Sequence, residues 1–174
     1  MGDGSVLQEY FSEGIELDKM IAKDWNEAKA QVDAWKSAGL KVVFTNGCFD
    51  ILHRGHVEYL AEAKECGDKL VLALNGDRSV QELKGDSRPI QNQDDRAAIM
   101  DALESIDLVV VFDEETPADI VKTLIPNVLA KGGDYTPETI IGADTVIENG
   151  GEVKVIPFRP GCSTSSIVEK IIKL

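Results

Sequence analysis

The chain has 174 residues, of which 43% are hydrophobic and 28% charged, and its formal net charge is −13. This length suits one domain with a proper core, whereas two domains would each be cramped. The acidic balance argues against a nucleic acid partner, because phosphate backbones need a basic face, and no apolar stretch approaches the roughly 20 residues of a membrane span.

The opening Met1-Gly2-Asp3-Gly4-Ser5 has neither the basic start nor the apolar run of a signal peptide, so a cytoplasmic protein is expected. Cys48, Cys66 and Cys162 are odd in number and far apart, which suits neither a disulfide framework nor a cysteine zinc site. If the ligands are polyanions, the few cations of so acidic a chain must be gathered in one place.

Residues 1–16 are polar without a clear period and read as a flexible N-terminal tail, leaving 17–174 as a single domain. Over 17–38, apolar residues at Met20, Ile21, Trp25, Ala28, Val32 and Trp35 recur at three- and four-residue spacing. That predicts a leading amphipathic helix ending at Gly39. Short apolar runs at 41–44, 70–74, 108–112, 128–130 and 153–156 then read as strands covered on both faces. Helical patterns near 56–66, 94–105, 117–125, 138–148 and from 163 to the end alternate with them. Alternation of this kind predicts an α/β fold: an open parallel sheet of about five strands with helices on both faces. In such a sheet ligands bind beyond the carboxyl ends of the strands, at the switch point.

Each candidate motif follows a predicted strand. After the first comes Thr45-Asn46-Gly47-Cys48-Phe49-Asp50-Ile51-Leu52-His53-Arg54-Gly55-His56, which holds the chain's two histidines. Imidazole N–H groups donate well to phosphate oxygens. Gly47 and Gly55 allow close backbone approach, and the helix that follows adds a partial positive charge at its N-terminus. A histidine pair at this spacing also suits a metal, but there is no third histidine and no paired cysteine to complete such a site.

After the second strand, Asn75-Gly76-Asp77 leads to Lys84-Gly85-Asp86-Ser87-Arg88-Pro89, a local basic pair in a Gly/Pro stretch. It reads either as surface charge or as a mobile loop carrying cations toward a triphosphate. Asn75 and Asp77 suit an acceptor or a turn, and Arg96 suits a simple ion pair. After the fourth strand, Lys131-Gly132-Gly133-Asp134-Tyr135 is either a turn or a backbone-plus-cation contact for a ligand. Ser163, Thr164, Ser165 and Ser166 open the last helix, where one would serve as a cap and four in a row suggest an anion site.

The string T-N-G-C-F-D-I-L-H-R-G-H-V-E-Y-L resembles the signature of the cytidylyltransferase-like superfamily of nucleotidyltransferases. Within it the chain is most similar to bacterial D-glycero-β-D-manno-heptose 1-phosphate adenylyltransferases, over roughly residues 20–174. The resemblance implies a Rossmann-like sheet and transfer of AMP from ATP to a sugar 1-phosphate, with pyrophosphate released. It implies His53, His56 and Lys84 as catalytic groups. Thr45, Asn46, Gly47, Phe49, Gly55, Arg88, Lys131, Gly132, Ser163, Thr164 and Ser165 would contact the nucleotide. Asp50, Asn75, Asp77, Gly133 and Asp134 would contact the acceptor.

Mg2+ would enter chiefly on the substrate phosphates, with Asp50 as one possible carboxylate ligand. A homodimer or higher homo-oligomer is common among such proteins, and a separate sugar kinase would supply the acceptor. The related cytidylyltransferases place an arginine three residues before the glycine matching Gly161, whereas Arg159 lies two before it. Two other functions share these residues: the same chemistry on another acceptor, such as glycerol 3-phosphate or phosphopantetheine, and a nucleotide-binding module without turnover.

Overall fold

A computed structural model of the chain describes residues 20–133, 136, 139–157, 159 and 161–174. The expected tail, Asp134 and Tyr135 lie outside the described residues. The chain runs β1 (Met20–Ala22), α1 (Trp25–Ser37), β2 (Val42–Gly47), α2 (Arg54–Lys64), β3 (Lys69–Asn75), α3 (Asp77–Lys84), α4 (Gln93–Asp101), β4 (Leu108–Phe112), α5 (Ala118–Leu124), β5 (Val128–Gly132), α6 (Ala143–Glu148), β6 (Glu152–Ile156) and α7 (Thr164–Ile172). The strands form one sheet in the order β1-β4-β3-β2-β5-β6, and every pairing is parallel.

All the strands read from the sequence are present, and the sheet has one more. Met20–Ala22 pairs with Leu108–Val110 as an edge strand instead of opening the leading helix. Asp24 decides where that helix begins: its backbone is extended and its carboxylate accepts from the Glu27 N–H at 2.9 Å, an N-cap that leaves Met20–Ala22 outside. The Trp25 indole then donates to the Val111 carbonyl at 3.1 Å and ties the helix start to β4.

A second difference bears on the site. Asp77–Lys84 is helix α3, so Lys84 is carried at a helix end and not in a mobile loop. Gly85, at φ 93°, ends that helix in a left-handed conformation that a side chain would strain.

The alternate faces of the strands feed two cores. Val42, Phe44, Val71, Ala73, Leu108 and Val110 pack with Ala28 and Val32 of α1 and with α5. Val43, Leu70, Leu72, Leu74 and Val109 pack with Tyr59, Leu60 and Ala63 of α2 and with Ala97 and Met100 of α4. Burial on both faces explains why the strands read as unbroken apolar runs.

From β2 the chain proceeds through β3 to β4 on one side, then crosses back so that β5 lies against β2 on the other. The switch point is therefore the cleft beyond the carboxyl ends of β2 and β5, where Asn46, Gly47, Lys131 and Gly132 sit. No helix among the described residues is long and apolar enough to cross a membrane.

Candidate active site

The loop after β2 is shaped by its own ring stack. His53 and His56 lie face to face with centroids 3.7 Å apart and 21° between planes, and Phe49 meets His56 edge-on at 5.0 Å. Phe49 has φ 42°, a left-handed backbone uncommon for a bulky residue and of the kind that gathers at functional sites. Glycines on either side make room. A Cβ on Gly47 would sit 2.7 Å from the Phe49 ring, and one on Gly55 would sit 3.1 Å from both His53 Nδ1 and Cys162 Cβ.

His53 has the N-cap backbone of α2 without a capping side chain, so the first turn of α2 offers N–H groups to an incoming anion. Burial lowers the pKa of His53. For His56, burial and then the charges of His53 and Lys84 bring it down to about 4. Both shifts favour neutral imidazoles at neutral pH, a form with one N–H donor each. Neither Nδ1 finds a hydrogen-bond partner among the described residues.

Three hollows converge here. One of about 280 Å3 holds His53, His56 and Lys84, faced by Cys162, Ser163, Thr164 and Ser165 at the start of α7. Two helix N-termini thus open on it, those of α2 and α7. A second, of about 200 Å3, runs from His56 and Phe49 to Asn46, Lys131 and Gly132. A third, of about 430 Å3, lies between Asn75, Lys84, Glu115 and Lys131. His56 belongs to the first and second, Lys84 to the first and third, and Lys131 to the second and third. Lys84 and Lys131 border these hollows, while Lys29, Lys41, Lys64 and Lys69 pair with carboxylates elsewhere.

Several expected ligand residues have other work. Asp50 is 2% exposed, receives both Arg88 Nε and a second guanidinium nitrogen at 2.6 Å, and accepts the N–H groups of Ile90 and Gln91. Burial pushes its pKa up, but the Gln91 and Ile90 N–H groups and Arg88 outweigh that and hold it below the usual carboxylate value. Asp50 and Arg88 thus brace the loop after β2 in this structure.

Thr45 is wholly buried, sharing a 2.6 Å hydrogen bond with Tyr59. Asp77 pairs with Arg96 at 2.8 Å. Asn75 is buried and donates to Ser79 Oγ, though it borders the largest of the three hollows. Gly133 is buried and donates its N–H to the Ile156 carbonyl at the sheet edge. At α7, Ser163 Oγ caps the Ser166 N–H and Thr164 Oγ1 donates to the Ile51 carbonyl, so the helix start is pinned to the histidine loop. Arg159 donates to both carboxylate oxygens of Glu58 at 2.8 Å, on the rim of the histidine hollow.

Among the described residues, no group of three or more His, Cys, Asp or Glu is placed to hold a metal ion.

The residue that sequence reasoning undervalued is Arg96. It is wholly buried and donates to the Cys48 and Asn75 carbonyls at 2.7 Å, to the Gln91 carbonyl at 3.0 Å and to Asp77 at 2.8 Å. One guanidinium therefore locks together the loop after β2, the end of β3, the start of α3 and the approach to α4. Its signal in the sequence is an arginine on the face that continues into the core residues Ala97 and Met100.

This geometry agrees with what the chain is similar to. A family model described as cytidylyltransferase-like matches residues 44–170. The chain belongs to that family. Its relatives include the bifunctional protein HldE of Azorhizobium caulinodans, 54% identical over 83% of this chain and 30% of that protein. The HldE of Wolinella succinogenes is 50% identical over 91% of this chain and 32% of the relative. The chain thus spans about a third of the length of these relatives.

Among solved structures, a lipopolysaccharide core biosynthesis protein from Thermoplasma volcanium matches with a TM-score of 0.55 and 27% identity, over 70% of this chain and 98% of that one. A pantoate-beta-alanine ligase from Francisella tularensis shares the fold alone, with a TM-score of 0.59 at 12% identity over 90% of this chain and 78% of that one. The protein is a nucleotidyltransferase enzyme.

Proposed function

We propose that the protein transfers AMP from MgATP to D-glycero-β-D-manno-heptose 1-phosphate, yielding ADP-heptose and pyrophosphate for surface glycan precursors. The observation that carries this reading is the meeting of three hollows at His56, Lys84 and Lys131. Such a junction suits a reaction in which an entering phosphate, a transferred phosphoryl group and a leaving pyrophosphate occupy adjacent places. The choice of ATP and heptose rests on the Leu83–Pro89, Lys131–Tyr135 and Asn149–Val153 strings and on the similarity to HldE proteins.

The acceptor needs no general base, because a phosphate's second pKa is about 6 and its oxygen is already ionised at neutral pH. That oxygen attacks the α-phosphorus as the bond to the bridging oxygen breaks, and the electron pair leaves with pyrophosphate. Positioning and charge neutralisation then supply the catalysis. His56 and His53 donate N–H bonds where charge grows on the α-phosphate and bridging oxygen. Lys84 neutralises it, and the α2 and α7 N-termini hold the leaving group.

The test is pyrophosphate release from ATP, CTP and GTP, each paired with heptose 1-phosphate, glycerol 3-phosphate and phosphopantetheine. ATP with heptose 1-phosphate should be the fastest pair, and His56→Ala should slow it by about 10²–10³-fold without loss of folding. Faster turnover of another pair, or near-normal turnover by His56→Ala, would overturn the reading.

A further inference from the structure

Lys131 is a half-buried cation answered by a neutral group. Its Nζ donates to Asn46 Oδ1 at 2.9 Å across the switch point, and no carboxylate forms an ion pair with it among the described residues. Burial lowers its pKa. An ammonium held this way costs stability, because an amide dipole returns only part of the lost hydration. A fold that keeps one at its ligand cleft has a use for it when an anion arrives.

The hollows say which anion. The histidine hollow, with its two helix N-termini, does not include Lys131, which meets His56 only through the smaller hollow of about 200 Å3. Lys131 also borders the hollow of about 430 Å3, within the range of about 300–1,000 Å3 usual for small-molecule sites. In-line displacement requires the entering oxygen and the leaving pyrophosphate on opposite sides of the α-phosphorus. Lys84 stands between the two spaces, bordering both. Beyond the lysines, the larger hollow has apolar walls at Leu83, Pro117 and Ile140, and Glu115 is the one carboxylate among its described lining residues. A carboxylate there accepts hydroxyl protons and repels a second phosphate.

Resting on the nucleotidyl-transfer reading above, we propose that Lys131 grips the phosphate of the acceptor and not the nucleotide, with the hollow before it as the acceptor chamber. The chamber takes a monophosphate whose far end is a polyhydroxylated ring, phosphate toward Lys131 and Lys84, hydroxyls toward Glu115.

Calorimetric titration of wild type, Lys131→Met and Lys131→Arg tests this, with α,β-methylene-ATP, heptose 1-phosphate and inorganic phosphate as separate probes. Lys131→Met should bind heptose 1-phosphate and inorganic phosphate about 10- to 100-fold more weakly, bind the ATP analogue within about threefold of wild type, and melt about 2–4 °C higher because the unanswered charge is gone. Lys131→Arg should recover part of the phosphate binding.

The proposal falls if the ATP analogue is the ligand that weakens, if wild type binds neither phosphate probe, or if Lys131→Met melts lower with all affinities unchanged, since Lys131 would then only brace Asn46. If wild type ignores heptose 1-phosphate yet binds inorganic phosphate through Lys131, the heptose assignment fails and the Lys131 site stands.

Discussion

The neutral state of the histidine pair has a consequence for stability that can be measured without any substrate. His56 has a pKa of about 4 in the fold, against 6.5 as its ordinary value. Between those values the unfolded chain binds a proton that the folded chain refuses, so acidification favours unfolding. The contribution is fully present above about pH 6.5 and is lost as the pH falls toward about 4. From pH 7 to pH 5 the loss comes to about 2 kcal/mol for a wholly buried ring, and to about 1 kcal/mol after screening at the partly open face of His56.

His56→Gln removes the titrating group while keeping a polar side chain of similar reach. Urea melts of both proteins at pH 7, 6 and 5 should show wild type losing about 1 kcal/mol more than the variant over that range. Carboxylates such as Asp50 titrate alike in both proteins and cancel in the comparison. Equal pH dependence would mean that His56 is not held neutral by burial, and the view of the pair as neutral N–H donors would fail with it.

Arg96→Met should destabilise by about 3–5 kcal/mol in urea melts, because it leaves the Cys48, Asn75 and Gln91 carbonyls without their buried donor and Asp77 without its cation. Asp50→Ala should cost about 3 kcal/mol by the same measurement, since Arg88 would be left as an unpaired, largely buried charge. If Asp50→Ala instead kept full stability and lost only magnesium-dependent turnover, Asp50 would be a metal ligand after all.

Much of this protein is legible from local pattern. The apolar runs of β2, β3 and β4 announce strands buried on both faces, and the histidine loop stands just where β2 gives way to α2. These features are local: a strand's character, a glycine's freedom and an uncapped helix start are set by neighbours in the chain. By itself, then, the amino-acid order determined a parallel α/β fold with glycine-, histidine- and serine-bearing loops that follow its strands.

What it left undecided is which polar groups face a ligand and which face each other. Met20–Ala22 carries a helical apolar spacing and becomes a strand because β4 offers it an open edge. Asp50 and Arg88 stand 38 positions apart, and Asn46 and Lys131 stand 85 apart. One pair closes on itself and is spent on the loop, while the other spans the switch point and keeps its charge unanswered. That distinction depends on strand order and burial, which set the distance and dielectric around each charge, and only the tertiary structure supplies either.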